Sequence, residues 1–281
     1  MSLFRWLIIG LFPLVGCATW SAPEDEPLGL PGPRMTPDSV VLEMTFVQLP
    51  LEESTEADLW LQVDEQHLPL ETSRRLHENG IRTGLVGSQF PEALHRLLDK
   101  PGPNEMIVAG MSPAETELFA QQKRLQIRAG ESHAVVVAPQ QTGEMVVLLS
   151  EEGSISAHRF SDAKGFLSIT STPLGDGRVR VELTPEIEHG HLRQRISGVR
   201  GSWLVTNSRE RRVFDELRFS TVMSAGQTLM ITCTPELKGL GDQLLVTGES
   251  ATRARTLMLI RLAQTQIDDL FVADEWQATA E

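Results

Sequence analysis

The chain has 281 residues, 41% of them hydrophobic, and a formal net charge of −13 at pH 7. That length suits one large or two small domains. The acidic balance argues against a nucleic-acid partner, which needs clustered Lys and Arg, and against docking on anionic lipid head groups.

The N-terminus carries the most specific signal. Arg5 supplies a positive region, Trp6 to Val15 form a short apolar run, and Leu14-Val15-Gly16-Cys17 closes it with a small residue before a cysteine. This pattern looks like a bacterial lipobox, in which residues 1–16 are a signal peptide and Cys17 is lipidated and becomes the mature N-terminus. The apolar run falls short of the roughly 20 residues a bilayer span takes. The alternative is an ordinary secretory signal with a chance cysteine. Lipidation implies attachment to a membrane of the cell envelope through the acyl chains on Cys17, each buried CH₂ contributing about 0.8 kcal/mol. Ala18 follows where an aspartate would favour inner-membrane retention, which points to the outer membrane.

Residues 17–38 are rich in Pro, Gly and acidic side chains and read as an extended tether, about 3.1 Å per residue in a polyproline-like form. Residues 39–120 then read as a small α/β domain. Its expected elements are a strand over Val40 to Gln48, a helix over Thr55 to Glu65 capped by Ser54, and a helix over Leu70 to Glu78 stopped by Asn79-Gly80. A strand over Ile81 to Val86, a helix from Pro91 to Leu98 and a helix from Pro113 to Gln122 follow.

After that the period changes. Leu125 to Ile127, His133 to Ala138, Met145 to Ser150, Phe166 to Thr170, Val179 to Leu183, Leu217 to Val222, Thr228 to Cys233, Gln243 to Val246 and Thr256 to Ala263 all suit strands. Turn signals such as Thr142-Gly143, Gly153 and Gly175-Asp-Gly177 separate several of them, so residues 121–266 read as an antiparallel β domain. Residues 267–281 form an acidic tail that Leu270, Phe271 and Trp276 could dock. The fold class expected is α+β.

Chemistry-bearing clusters are few. Glu186-Ile-Glu-His-Gly-His191 is dense in metal-capable side chains, but it follows a strand ending at Pro185 and reads as a solvated loop. Asp64, Glu65 and His67 at a helix end read as surface or capping groups. Arg209 with Arg211-Arg212 reads as a solvated hairpin tip. Cys233 sits in a strand and reads as a buried, inert thiol; with Cys17 lipidated, it has no partner for an intramolecular disulfide. No Gly-x-Ser-x-Gly elbow, phosphate loop or dinucleotide fingerprint occurs. No cofactor or metal is expected, and an enzyme would need a site assembled from residues distant in sequence. Along Arg178-Val-Arg-Val-Glu-Leu183, Val179, Val181 and Leu183 should face inward. Arg178, Arg180 and Glu182 should face outward as a candidate interaction face.

The order of pieces from about Arg124 onward resembles the C-terminal domain of bacterial secretins. Leu125-Gln-Ile-Arg-Ala-Gly-Glu131 looks like that domain's opening strand and turn. Phe166 to Pro185 looks like its hairpin of two long strands, and Phe219 to Ile231 like its strand, Gly-Gln-Thr turn and strand. Thr256 to Leu262 would match its final strand. The family's Val-Pro and Gly-Asp-Ile-Pro gate stretch has only a poor counterpart in Pro235 to Asp242, and no long amphipathic membrane lip is evident. The resemblance implies a secretin-like β fold. Asp58 to Pro69, followed by Leu76 to Gly84, is similar to a group of planctomycete lipoproteins or secreted proteins, a likeness that brings no activity with it. The expected function is a non-catalytic, lipid-anchored binding or scaffolding module of the envelope, working with a protein partner or as a homo-oligomer. The alternative is a secretin-family subunit of an outer-membrane secretion or transport assembly.

Overall fold

The computed structural model describes residues 38–51, 55–98, 123–139, 143–151, 153–199, 202–248 and 253–266. Cys17 with its signal peptide, the tether before residue 38, the helix expected from Pro113 to Gln122 and the acidic tail lie outside them. In chain order the elements are β1 (Ser39–Pro50), α1 (Thr55–Trp60), α2 (Leu70–Glu78), β2 (Ile81–Val86), α3 (Glu92–Leu98), β3 (Lys123–Arg128), β4 (Ser132–Ala138), β5 (Glu144–Glu151) and β6 (Ser154–Ser161). β7 (Lys164–Pro173), β8 (Val179–Val199), β9 (Ser202–Val213), β10 (Phe219–Met223), β11 (Thr228–Cys233), α4 (Gly239–Leu245), β12 (Val246–Thr247) and β13 (Ala254–Gln266) complete the set. The architecture is mostly antiparallel β with a few helices, an α+β fold.

The first sheet has six strands in the order β2-β11-β13-β1-β3, with β12 also on β13. Segment 39–120, expected to form a domain of its own, places β1 between β13 and β3 and β2 beside β11. The expected boundary at residue 120 therefore does not divide the described body. The physical reason is burial: Val40, Leu42 and Met44 on β1 have no exposed surface, and the strands that cover them come from the far end of the chain. β13 is buried from Ala254 to Ile260, on both faces, which explains its unbroken apolar run Leu257-Met-Leu-Ile260.

The second sheet runs β10-β8-β7-β4, and β9 follows β8 along the edge that β10 also uses. β5 and β6 form a separate ribbon. One cluster joins Met44, Phe46, Ile231 and Met258 of the first sheet to Ile169, Val181 and Leu183 of the second and to Val147 of the ribbon. The opposite face of the first sheet, with Leu49, Met230, Leu257 and Leu259, packs on Leu59 and Trp60 of α1 and on Leu94 and Leu97 of α3. Each fully buried side chain of this kind contributes about 1.5–3 kcal/mol.

Three local expectations are corrected. α1 ends at Trp60 instead of Glu65, because Asp64 turns back to exchange backbone hydrogen bonds with Leu85 at 2.9 and 2.8 Å. Gln243 to Leu245, expected as part of a strand, belongs to α4, where Leu240, Leu244 and Leu245 bury one helical face. Gly241 lets that helix press on the α2–β2 corner: a Cβ there would lie 1.9 Å from the carbonyl oxygen of Gly80. Finally, Glu186 to His191 is strand, since β8 continues to Val199, and Arg209 to Arg212 lie on its partner β9.

Candidate functional site

The β7–β8 hairpin sets out the candidate face. Thr170 pairs with Glu182, Thr172 with Arg180 and Pro173 with Val179. Gly177 takes the left-handed conformation, φ 80°, that closes the turn, whereas Gly175 does not. Val179, Val181 and Leu183 are fully buried, and Arg178, Arg180 and Glu182 lie on the solvent side.

Arg178 is committed to the turn. Its Nε donates to Asp176 Oδ2 at 2.6 Å and its backbone N–H to Oδ1 at 3.0 Å, which holds the Asp176 carboxyl below the usual carboxylate range. Arg180 lies between Thr172 and Val222 of the neighbouring strands. Glu182 sits 3.8 Å from Arg218 Nε, and Arg218 also pairs with Asp215.

Further along the same face, Glu186 accepts from Arg211 Nη1 at 2.9 Å and Glu188 from Nη2 at 3.4 Å. The Arg211 guanidinium lies 5.2 Å from the Phe166 ring centre and the Lys164 ammonium 5.4 Å from it. Ser132 and Ser168 share a 2.5 Å hydroxyl contact. The face is thus a sheet surface of paired charges and hydroxyls, in which Thr184 and Glu186 are buried. In the sequence Arg211 reads only as part of a solvated hairpin tip and Phe166 only as the start of a strand; their meeting depends on the long β8 bringing β7 and β9 to its opposite edges.

The metal-capable cluster is divided. Glu186 and Glu188 engage Arg211, His189 packs on Phe160 with ring centres 4.9 Å apart, and His191 stands exposed with Nδ1 4.0 Å from Asp162. Among the described residues no group of three or more His, Cys, Asp or Glu is placed to hold a metal ion.

Asp64, Glu65 and His67 are brought together by the turn after α1, in structural pairings. Glu65 forms a two-point ion pair with Arg82 at 2.9 and 2.7 Å, and Arg82 stacks 4.0 Å over the Trp60 ring. Asp64 Oδ1 accepts from the Gln66 N–H, and its carbonyl accepts from His67 Nδ1 at 3.1 Å. Burial pushes the His67 pKa down, against the raising effect of that hydrogen bond. Cys233 has no exposed surface; burial first, then the nearby Asp242, pushes its thiol up to about 12.

Comparison with protein-family models, with curated proteins and with solved structures finds no match to this chain.

Proposed function

We propose that this chain is a lipid-anchored envelope protein whose body is a non-catalytic binding or scaffolding module. The observation that carries the anchor is the run Arg5, Trp6 to Val15 and Leu14-Val-Gly-Cys17. What supports the binding role is the outward row Arg180, Glu182 and Glu188 on a sheet whose opposite side is core, with Thr184 and Glu186 of the same row buried. Its carboxylates Glu182 and Glu188 are held in ion pairs with Arg218 and Arg211, which would present a fixed pattern to a partner. Cys17→Ser tests the anchor: it moves the protein out of the detergent phase or blocks its processing. Unchanged partitioning with normal cleavage overturns the reading.

A second reading, a secretin-family subunit in an outer-membrane assembly, is supported by the β7–β8 hairpin that carries the resemblance. Electron micrographs of detergent-extracted protein separate the two: large rings favour the secretin subunit, and small species favour the scaffold.

A further inference from the structure

The first sheet ends on β2 at one side and on β3 at the other, and the two edges differ. At β2, Asp64 exchanges backbone hydrogen bonds with Leu85, and Arg82 is paired with Glu65. Among the described residues β3 pairs with β1 alone, from Lys123 opposite Met44 to Arg128 opposite Ser39. Register fixes which backbone groups point outward. The Ala129 N–H donates to the Asp38 carbonyl at 2.7 Å. Antiparallel alternation in phase with that bond turns the N–H and C=O of Leu125 and Ile127 toward β1, and those of Arg124 and Arg128 away from it.

The side chains of β3 sort by face. Ile127 is buried in the core cluster and Leu125 packs half-buried against it. Arg124 and Arg128 are exposed on the opposite face, across from Glu43 and Ser39 of β1. Glu43 in turn stands between Arg124 and Arg261 of β13. Neither Arg124 nor Arg128 forms an ion pair among the described residues, whereas Arg82, Arg193, Arg211 and Arg218 each hold a carboxylate. A chain of net charge −13 thus leaves these guanidinium groups unpaired along an open strand edge.

We propose that β3 takes an acidic, extended segment of a partner protein as a further antiparallel strand. The outward backbone groups of Arg124 and Arg128 supply the hydrogen bonds of strand addition. Side chains of the segment opposite those two residues lie on the arginine face, and charge complementarity makes them carboxylates. Side chains opposite Leu125 and Ile127 lie on the other face and extend the apolar cover over Leu125. The recognised pattern therefore runs acidic, apolar, any, apolar, acidic. A second copy of this chain does not fit. β3 laid antiparallel on β3 in full overlap sets Arg124 opposite Arg128 at both ends, and like charges directly opposite are destabilising. Basic residues on an edge guard it against self-pairing, and here the same residues select the partner. This edge is separate from the β8 row, and its role does not depend on lipid at Cys17.

The test is hydrogen exchange of the 123–128 amides in the full chain, with the end-blocked peptide Ser-Glu-Val-Thr-Val-Glu-Ser as the probe. Anisotropy of the labelled peptide reads binding in parallel. Exchange along β3 should slow roughly tenfold or more, with β13 amides unchanged as the fold control. A peptide with Lys in place of both Glu should bind roughly tenfold more weakly, and Arg124→Glu/Arg128→Glu should invert that preference. A peptide N-methylated at both Glu residues keeps the charges, loses the ladder hydrogen bonds and should not protect β3. No binding of the Glu peptide, or binding without slower exchange at 123–128, overturns the proposal. Equal binding of the Glu and Lys peptides removes the charge match, and undiminished binding of the N-methylated peptide removes strand addition; either overturns it. Protection that grows with protein concentration without peptide assigns the edge to a second copy. Protection by phosphatidylglycerol vesicles but not by the peptide assigns it to lipid. Both of these also overturn the peptide reading.

Discussion

Along β8, neighbouring side chains face opposite environments. Val181 has no exposed surface and Arg180 is in solvent. Val181→Asp would bury an unpaired carboxylate and should cost about 3 kcal/mol or more, whereas Arg180→Asp should change stability by about 0.5 kcal/mol at most. Thermal melts of the two variants check the ranking; the reverse order would mean that the sheet presents its other face. His67 gives a pH signature. Its folded pKa is lowered from the ordinary 6.5 by burial, so the fold favours the neutral ring. The unfolded chain then takes up the proton first. The stabilisation is complete above the unfolded value and is lost as pH falls through it toward the folded one. Between pH 7.5 and 5.5, as the experimental window, the wild type should lose more melting temperature than His67→Gln; parallel curves would show that the ring does not titrate differently on folding.

At the scale of elements, α4 shows packing overriding local pattern. Gln243 to Val246 reads as strand on β-propensity, yet Leu240, Leu244 and Leu245 fill a helical stripe against the core. The helix stays close only because Gly241 meets the Gly80 backbone. Gly241→Ala should therefore destabilise by about 3 kcal/mol, a value typical of severe overpacking, with Gly175→Ala, where an added Cβ meets nothing, near zero. Urea titration of both variants measures the difference. Equal midpoints would show that α4 can shift outward. The β7–β8 hairpin, in contrast, follows from its own sequence: alternation and the Gly175-Asp-Gly177 turn both specify it within a few residues. β6 and β9 carry no comparable apolar alternation, which is why neither was expected. β6 is exposed from Ser154 to Ala157, and β9 is defined by its pairing with the far half of β8.

At the scale of the whole molecule, the sheet order joins the two ends of the described chain. β1 pairs with β13 along their lengths, from Ser39 opposite Gln266 to Pro50 opposite Ala254. Residues 38–122 and 123–266 expressed apart should each lack a cooperative melt, because each exposes strand edges and apolar faces that the other covers. Mixing them should restore the transition. A cooperative melt of residues 123–266 alone, followed by circular dichroism, would show that the β-rich part is self-sufficient.

The amino-acid sequence alone determined the features set by neighbouring residues: the apolar run ending at Cys17, α2 and its stop at Asn79-Gly80, β2 and β11 at their observed bounds, and the inward row Val179, Val181 and Leu183. Capping, turn chemistry and period act over a few residues and are written locally. Only the tertiary structure decided which strands share a sheet, that Arg211 of β9 answers Glu186 and Glu188 of β8 over Phe166, and that the Asn79 amide bonds both backbone groups of Ser150. These are long-range contacts. Their partners are selected by which buried faces and polar groups remain unsatisfied once the local elements have formed, and no single stretch of chain encodes that selection.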